Sequence, residues 1–73
     1  MTKIQKQKHI DAIHQLVESS GYIANHWGKY HRGDIKIDIA DNNIKIWRGE
    51  RKIWSKTMTA LTLEEISARI NSL

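Results

Sequence analysis

Ile35-Lys36-Ile37-Asp38-Ile39-Ala40-Asp41-Asn42-Asn43-Ile44-Lys45-Ile46-Trp47-Arg48-Gly49-Glu50-Arg51-Lys52-Ile53-Trp54 is the stretch whose reading decides the fold. Residues 35 to 39 alternate apolar and polar without a break, the period of a strand with one buried face. Asp41-Asn42-Asn43 supplies residues that tolerate positive φ and bond their own backbone, which is turn chemistry. Ile44 to Arg48 alternates again, Gly49-Glu50 interrupts it, and Lys52 to Thr57 completes a meander. If Asp41-Asn42 and Gly49-Glu50 are the central pairs of two hairpins, Ile39 faces Ile44, Ile37 faces Ile46, and Ile46 in turn faces Ile53. Ile35, Ile37, Ile39, Ile44, Ile46 and Ile53 then share one face, and a one-residue slip would throw half of them into water. On the opposite face Lys45 lies between Asp38 and Trp54, and Trp47 lies between Lys36 and Lys52. The repeated Lys-Ile-Trp at 45–47 and 52–54 thus predicts a Lys/Trp checkerboard.

Working outward, Thr2 and Gln5 have the spacing of a capping box, and Gly21 stands where a left-handed C-cap is wanted, so a helix is expected over Lys3 to Ser19. Ile10, Ile13, Leu16 and Val17, with Ile4 upstream, form its apolar stripe. Thr62 and Glu65 open a second helix from Leu63 to about Asn71, with Leu61 stapled on Ile66 and a stripe of Leu63, Ile66, Ile70 and Leu73. Tyr22 to Trp27 reads as a strand, with Ile23, Asn25 and Trp27 on one face. Residues 28–34 read as either a turn or a bulged continuation. The fold class is α+β: an N-terminal helix, an antiparallel meander of three to four strands and a C-terminal helix, α-β-β-β-α or α-β-β-β-β-α. Residues 1–73 make a single two-layer domain with the helices on the isoleucine face.

Composition narrows the function. There are 73 residues, no cysteine and no proline, hence one thin core, no disulfide framework and no thiolate zinc site. No apolar run approaches the roughly 20 residues that span a bilayer, so a cytoplasmic protein without membrane contact is expected. Twelve Lys+Arg against eight Asp+Glu leave a net charge of +4. The excess is concentrated: residues 45–56 hold Lys45, Arg48, Arg51, Lys52 and Lys56 against Glu50 alone. Such a stripe attracts polyanions.

The candidate binding residues are therefore Lys36, Lys45, Trp47, Arg48, Arg51, Lys52, Trp54 and Lys56. Indoles stack on exposed bases and flanking lysines hold phosphates, while Arg48 and Arg51 at a ribbon tip suit a duplex groove. The same tryptophans would serve equally as hot spots on a protein partner or in a homodimer, or would stiffen the sheet. His9 and His14 lie five apart on a helix and do not share a face as metal ligands; no metal, small-molecule cofactor or phosphate-cradling loop is expected. His26 and His31 stand among Lys29, Arg32 and Asp34, where a histidine could act as acid and base on a phosphodiester.

The helix followed by Gly21-Tyr22, a strand, and His31 ten residues after Gly21 resembles the opening of HicA-type toxins. That resemblance covers about 20 residues and implies a small ribonuclease with a double-stranded-RNA-binding-like α-β-β-β-α fold. The family's Gly-Ser-His is replaced here by Lys29-Tyr30-His31. The readings stand in this order. First is a small basic non-enzymatic module that binds DNA, RNA or a nucleoprotein through the Lys/Trp face of its sheet. Second is an inhibitor encoded by a phage, prophage or other mobile element, of anti-CRISPR type, acting by protein-protein contact. Third is a HicA-like ribonuclease dependent on His31.

Overall fold

The computed structural model describes residues 2–25 and 29–73. Helix α1 (Lys3–Ser19) leads into a five-stranded antiparallel sheet, β1 (Ile23–Ala24), β2 (Tyr30–Arg32), β3 (Ile35–Ala40), β4 (Asn43–Arg48) and β5 (Arg51–Thr57). A single 3₁₀ turn (Met58–Ala60) then precedes helix α2 (Leu63–Asn71). Spatial order equals sequence order, β1-β2-β3-β4-β5. This is the expected α+β arrangement with one strand more than expected. Tyr30–Arg32 pairs independently with both β1 and β3. His26 and Trp27, read above as part of the first strand, lie outside the described residues.

Both helices begin as their sequences require. The Gln5 amide donates to Thr2 Oγ1 at 3.1 Å and the Thr2 amide donates to Gln5 Oε1 at 2.9 Å. At α2, Glu65 and Thr62 exchange the same pair of bonds at 3.1 and 3.2 Å. Gly21, at φ +90°, ends α1. The Gly21 amide donates to Glu18 O and the Tyr22 amide to Val17 O, the two bonds of a Schellman motif. Tyr22 and Val17 are both in the core, which supplies the apolar contact that accompanies the motif.

Three of the hairpins close through two-residue turns, Gly33-Asp34, Asp41-Asn42 and Gly49-Glu50. Each has positive φ at its first central residue, +59°, +54° and +61°. These are the φ signs of a II′ turn, whose twist matches that of the flanking strands. Asp41 is the only non-glycine among them.

The β3–β4 ladder follows the sequence reading residue for residue: Lys36 faces Trp47, Ile37 faces Ile46, Asp38 faces Lys45 and Ile39 faces Ile44. The β4–β5 ladder does so only at its tip, with Arg48 opposite Arg51 and Trp47 opposite Lys52. The expected pairs of Ile46 with Ile53 and Lys45 with Trp54 do not form. Ile46 faces Trp54, Lys45 faces Ser55, and a β-bulge falls between Ile46 and Trp47, leaving Ile53 without an opposite residue. Ile53 is 39% exposed. The indole offers far more apolar surface to the core than an isoleucine does, and one unpaired residue is a small cost for turning it inward.

The core lies between the sheet and the helices: Ile13, Val17, Tyr22, Tyr30, Ile35, Ile37, Ile44, Ile46, Met58, Ile66 and Ile70. Ile10, Leu16, Ile39, Trp54, Leu61 and Leu73 pack against it. Ile4 does not join the stripe; it is 70% exposed. Met58 is held in place by its backbone. Its amide donates to Asn42 O at 2.7 Å, and its carbonyl lies 2.9 Å from His9 Nε2. Asn42 also bonds Thr59 through both ends of its amide, which ties the β3–β4 turn to the 3₁₀ turn.

Candidate functional site

Alternation along paired strands divides the charged residues between two faces. The helices cover the face that carries Ile35, Ile37, Ile44 and Ile46. On the opposite face, one row of cross-strand partners runs the width of the sheet: Ile23, His31, Lys36, Trp47 and Lys52. A second row carries Asp38, Lys45 and Ser55. His31, Lys36 and Lys52 are exposed, and Ile23 is 67% exposed. The Lys36 Nζ sits 5.8 Å from the centre of the Trp47 ring, a cation-π contact worth about 0.5–1 kcal/mol at an exposed site. Lys29, Lys36, Asp38, Trp47, Gly49 and Glu50 line a cleft of about 290 Å³ on this face.

Of the eight candidate residues, Lys36, Lys45, Trp47 and Lys52 come together here. Trp54 and Lys56 do not. The bulge places them in line with Ile46 and Ile44, on the helix side. The Arg69 guanidinium of α2 lies 5.5 Å from the Trp54 ring centre, and the two border a depression shared with Lys56, Leu61 and Glu65. Arg48 and Arg51 are exposed at the hairpin tip, opposite each other, with the parity of the helix side. Like charges directly opposite repel by a few tenths of a kcal/mol. The checkerboard is thus reduced to one tryptophan flanked by two lysines.

Sequence reasoning missed His31 and Lys29 as members of this face because β2 was not resolved as a strand. The signal was present in Gly33-Asp34, a turn pair that sets Arg32 opposite Ile35 and hence His31 opposite Lys36. His31 has Ile23 and Lys36 as its cross-strand neighbours.

Tyr22, Tyr30, His14, Glu18 and Arg32 meet one another on the side away from this face. The Tyr30 hydroxyl donates to Glu18 Oε1 at 3.2 Å and lies 2.7 Å from His14 Nδ1. The phenol has one proton, so His14 Nδ1 supplies the hydrogen of the shorter bond. Burial, reinforced by the bond to Glu18 and by its charge, pushes the Tyr30 phenol above its usual value of 10.0. Burial also raises Tyr22, against the opposing charge of Arg32, whose guanidinium lies 5.8 Å from the Tyr22 ring centre and donates to Ser20 O at 2.9 Å. Among the described residues no group of three or more His, Cys, Asp or Glu could hold a metal ion, and no helix is long and apolar enough to cross a membrane.

Comparison of the chain with protein-family models, with curated proteins and with solved structures gives no match.

Proposed function

We infer that the chain binds single-stranded nucleic acid, free or within a nucleoprotein, across the open face of its sheet. The observation that carries this reading is the row His31, Lys36, Trp47, Lys52 on the face opposite the helices. A base can stack on the indole while ammonium groups one strand to either side take the phosphates, the combination that sequence-tolerant single-strand binders use. The duplex reading of a two-stranded ribbon is less well supported. One side of β4 and β5 lies against the helix layer, which leaves a groove only the Arg48-Arg51 tip. Binding without a chemical step is the reading: His31 has Ile23 and Lys36, and no acid, as its cross-strand neighbours.

A salt titration tests it. If Lys29, Lys36, Lys45 and Lys52 each neutralise one phosphate, log K should fall against log salt with a slope of about −2.8, at about −0.7 per contact for single strands. Lys36→Ala and Lys52→Ala should each flatten that slope by about 0.7, and Lys6→Ala on α1 should not. No binding of DNA or RNA oligonucleotides at low ionic strength would remove the reading.

One observation favours a second reading. Ile23, 67% exposed at the end of the row that holds Trp47, suits a protein surface better than a polyanion. An inhibitor that docks this face on a larger complex would use Trp47 as a central anchor. Capture of a partner with weak salt dependence, abolished by Ile23→Lys, would select it.

A further inference from the structure

Two acids stand beside the lysines of the outer face, Asp38 within β3 and Glu50 in the β4–β5 turn. Asp38 and Glu50 line the outer-face cleft together with Lys29, Lys36, Trp47 and Gly49. Against a phosphate each carboxylate repels. A carboxylate only accepts hydrogen bonds, so what it takes from a nucleic acid is an N–H on a base edge. The cleft, about 290 Å³, lies at the lower end of ligand-binding clefts, roughly 300 Å³. That suits one planar ring system better than a larger folded ligand. Trp47 supplies the stacking wall, and Lys36, whose ammonium lies over that ring, gives way to the base and moves to a flanking phosphate.

The four bases differ in what they offer such a cleft. Guanine presents two adjacent donors, N1–H and the N2 amino group, beside the acceptor O6. Adenine and cytosine present one amino group each, and thymine or uracil a single N3–H between two acceptors. A cleft holding both carboxylates and ammonium groups matches the first of these most completely.

We propose that the cleft is a guanine-selective base pocket. A guanine of the bound strand stacks on Trp47, donates N1–H and N2–H to the carboxylate of Asp38 or Glu50, and accepts at O6 from Lys29, which in a strand without guanine is left to a phosphate. The other lysines of the face hold the flanking phosphates. This proposal rests on the nucleic-acid reading and adds base preference to it.

The test uses the full chain and fluorescein-labelled oligo(dT) of about 15 nucleotides, the scale of a single-domain site, carrying one central guanine, inosine or thymine, with RNA counterparts. The guanine oligomer should bind about 5- to 150-fold more tightly than the all-thymine one. Inosine, which lacks the N2 amino group, should lose part of that gain. Asp38→Asn and Glu50→Gln should together erase the preference while all-thymine binding holds or improves, since two negative charges are gone. Glu50 lies in an exposed turn, so E50Q keeps the test open if D38N, in mid-strand opposite Lys45, weakens the sheet. Equal binding of the three oligomers by the wild type, or a guanine preference surviving in the double variant, overturns the pocket and leaves the nucleic-acid reading standing. Failure of every oligomer to bind at low salt removes both.

Discussion

If the outer face binds nucleic acid as proposed, Trp54→Ala should unfold the protein at a markedly lower temperature and leave binding intact, whereas Trp47→Ala should weaken binding with a smaller loss of stability. The contrast follows from the bulge at Ile53, which turns one tryptophan to the core and leaves the other outside. Truncating a fully buried tryptophan costs about 3–5 kcal/mol. Trp54 is partly exposed where it packs against the core, which leaves about 2 kcal/mol, and loss of the Arg69 contact adds about 0.5–1 kcal/mol. For a chain of this size each kcal/mol moves the midpoint by about 4–8 °C, so a fall of roughly 10–20 °C is expected. Trp47 contributes its contact with Lys36 and its cross-strand packing, about 1 kcal/mol in all. Its loss of base stacking is worth about 1–3 kcal/mol per base, or about 5- to 150-fold in affinity. Thermal denaturation followed by far-UV circular dichroism gives the first quantity, and fluorescence anisotropy with a labelled oligonucleotide the second. Loss of binding in Trp54→Ala at an unchanged midpoint would refute the reasoning, because it would put that indole on the ligand face.

Other outcomes follow from particular contacts. Arg51→Glu replaces a like-charge pair with Arg48 by an opposite one, and should raise stability by about 0.2–1 kcal/mol in a urea titration while lowering the salt slope of any ligand that reaches the tip. Asp41→Gly relieves a non-glycine residue at φ +54° and should stabilise by about 0.5–1 kcal/mol; an equal loss, measured the same way, would mean that the aspartate side chain holds the turn. Tyr22 and Tyr30 have folded-state values above 10.0, so the folded state holds these protons more tightly than the unfolded chain does. Their contribution is present below about pH 10 and declines as pH rises through the folded values. Denaturant titrations should show the decline flattened in the Tyr22→Phe, Tyr30→Phe pair, and an equally steep decline in that variant would assign it elsewhere.

Much of the fold was legible because independent local signals agreed. The capping boxes at Thr2 and Thr62, the C-cap at Gly21 and the turn pairs at Asp41-Asn42 and Gly49-Glu50 each placed an element, and the isoleucine alternation of β3 and β4 fixed their register. The candidate site was half legible for a definite reason. Ile53 and Trp54 are adjacent apolar residues, so β5 buries one of them in either phase, and period-2 patterning cannot choose between the phases. The choice is tertiary, made by the room beside Leu61 and Arg69. Tyr22 entered the core by a local route, and Tyr30 and Met58 by non-local ones. One packs through a C-cap contact, one through His14 and Glu18, and one through backbone bonds to Asn42.

The meander order has a kinetic consequence. Every strand pairs with its immediate neighbours in sequence, so the sheet can grow outward from any one hairpin, and no pairing waits on the closure of a long loop. These 73 residues also contain neither proline nor cysteine, which removes prolyl isomerisation and disulfide exchange as slow steps. After dilution from denaturant, the chain should regain its circular dichroism in a single exponential, with no amplitude left over on the scale of tens of seconds.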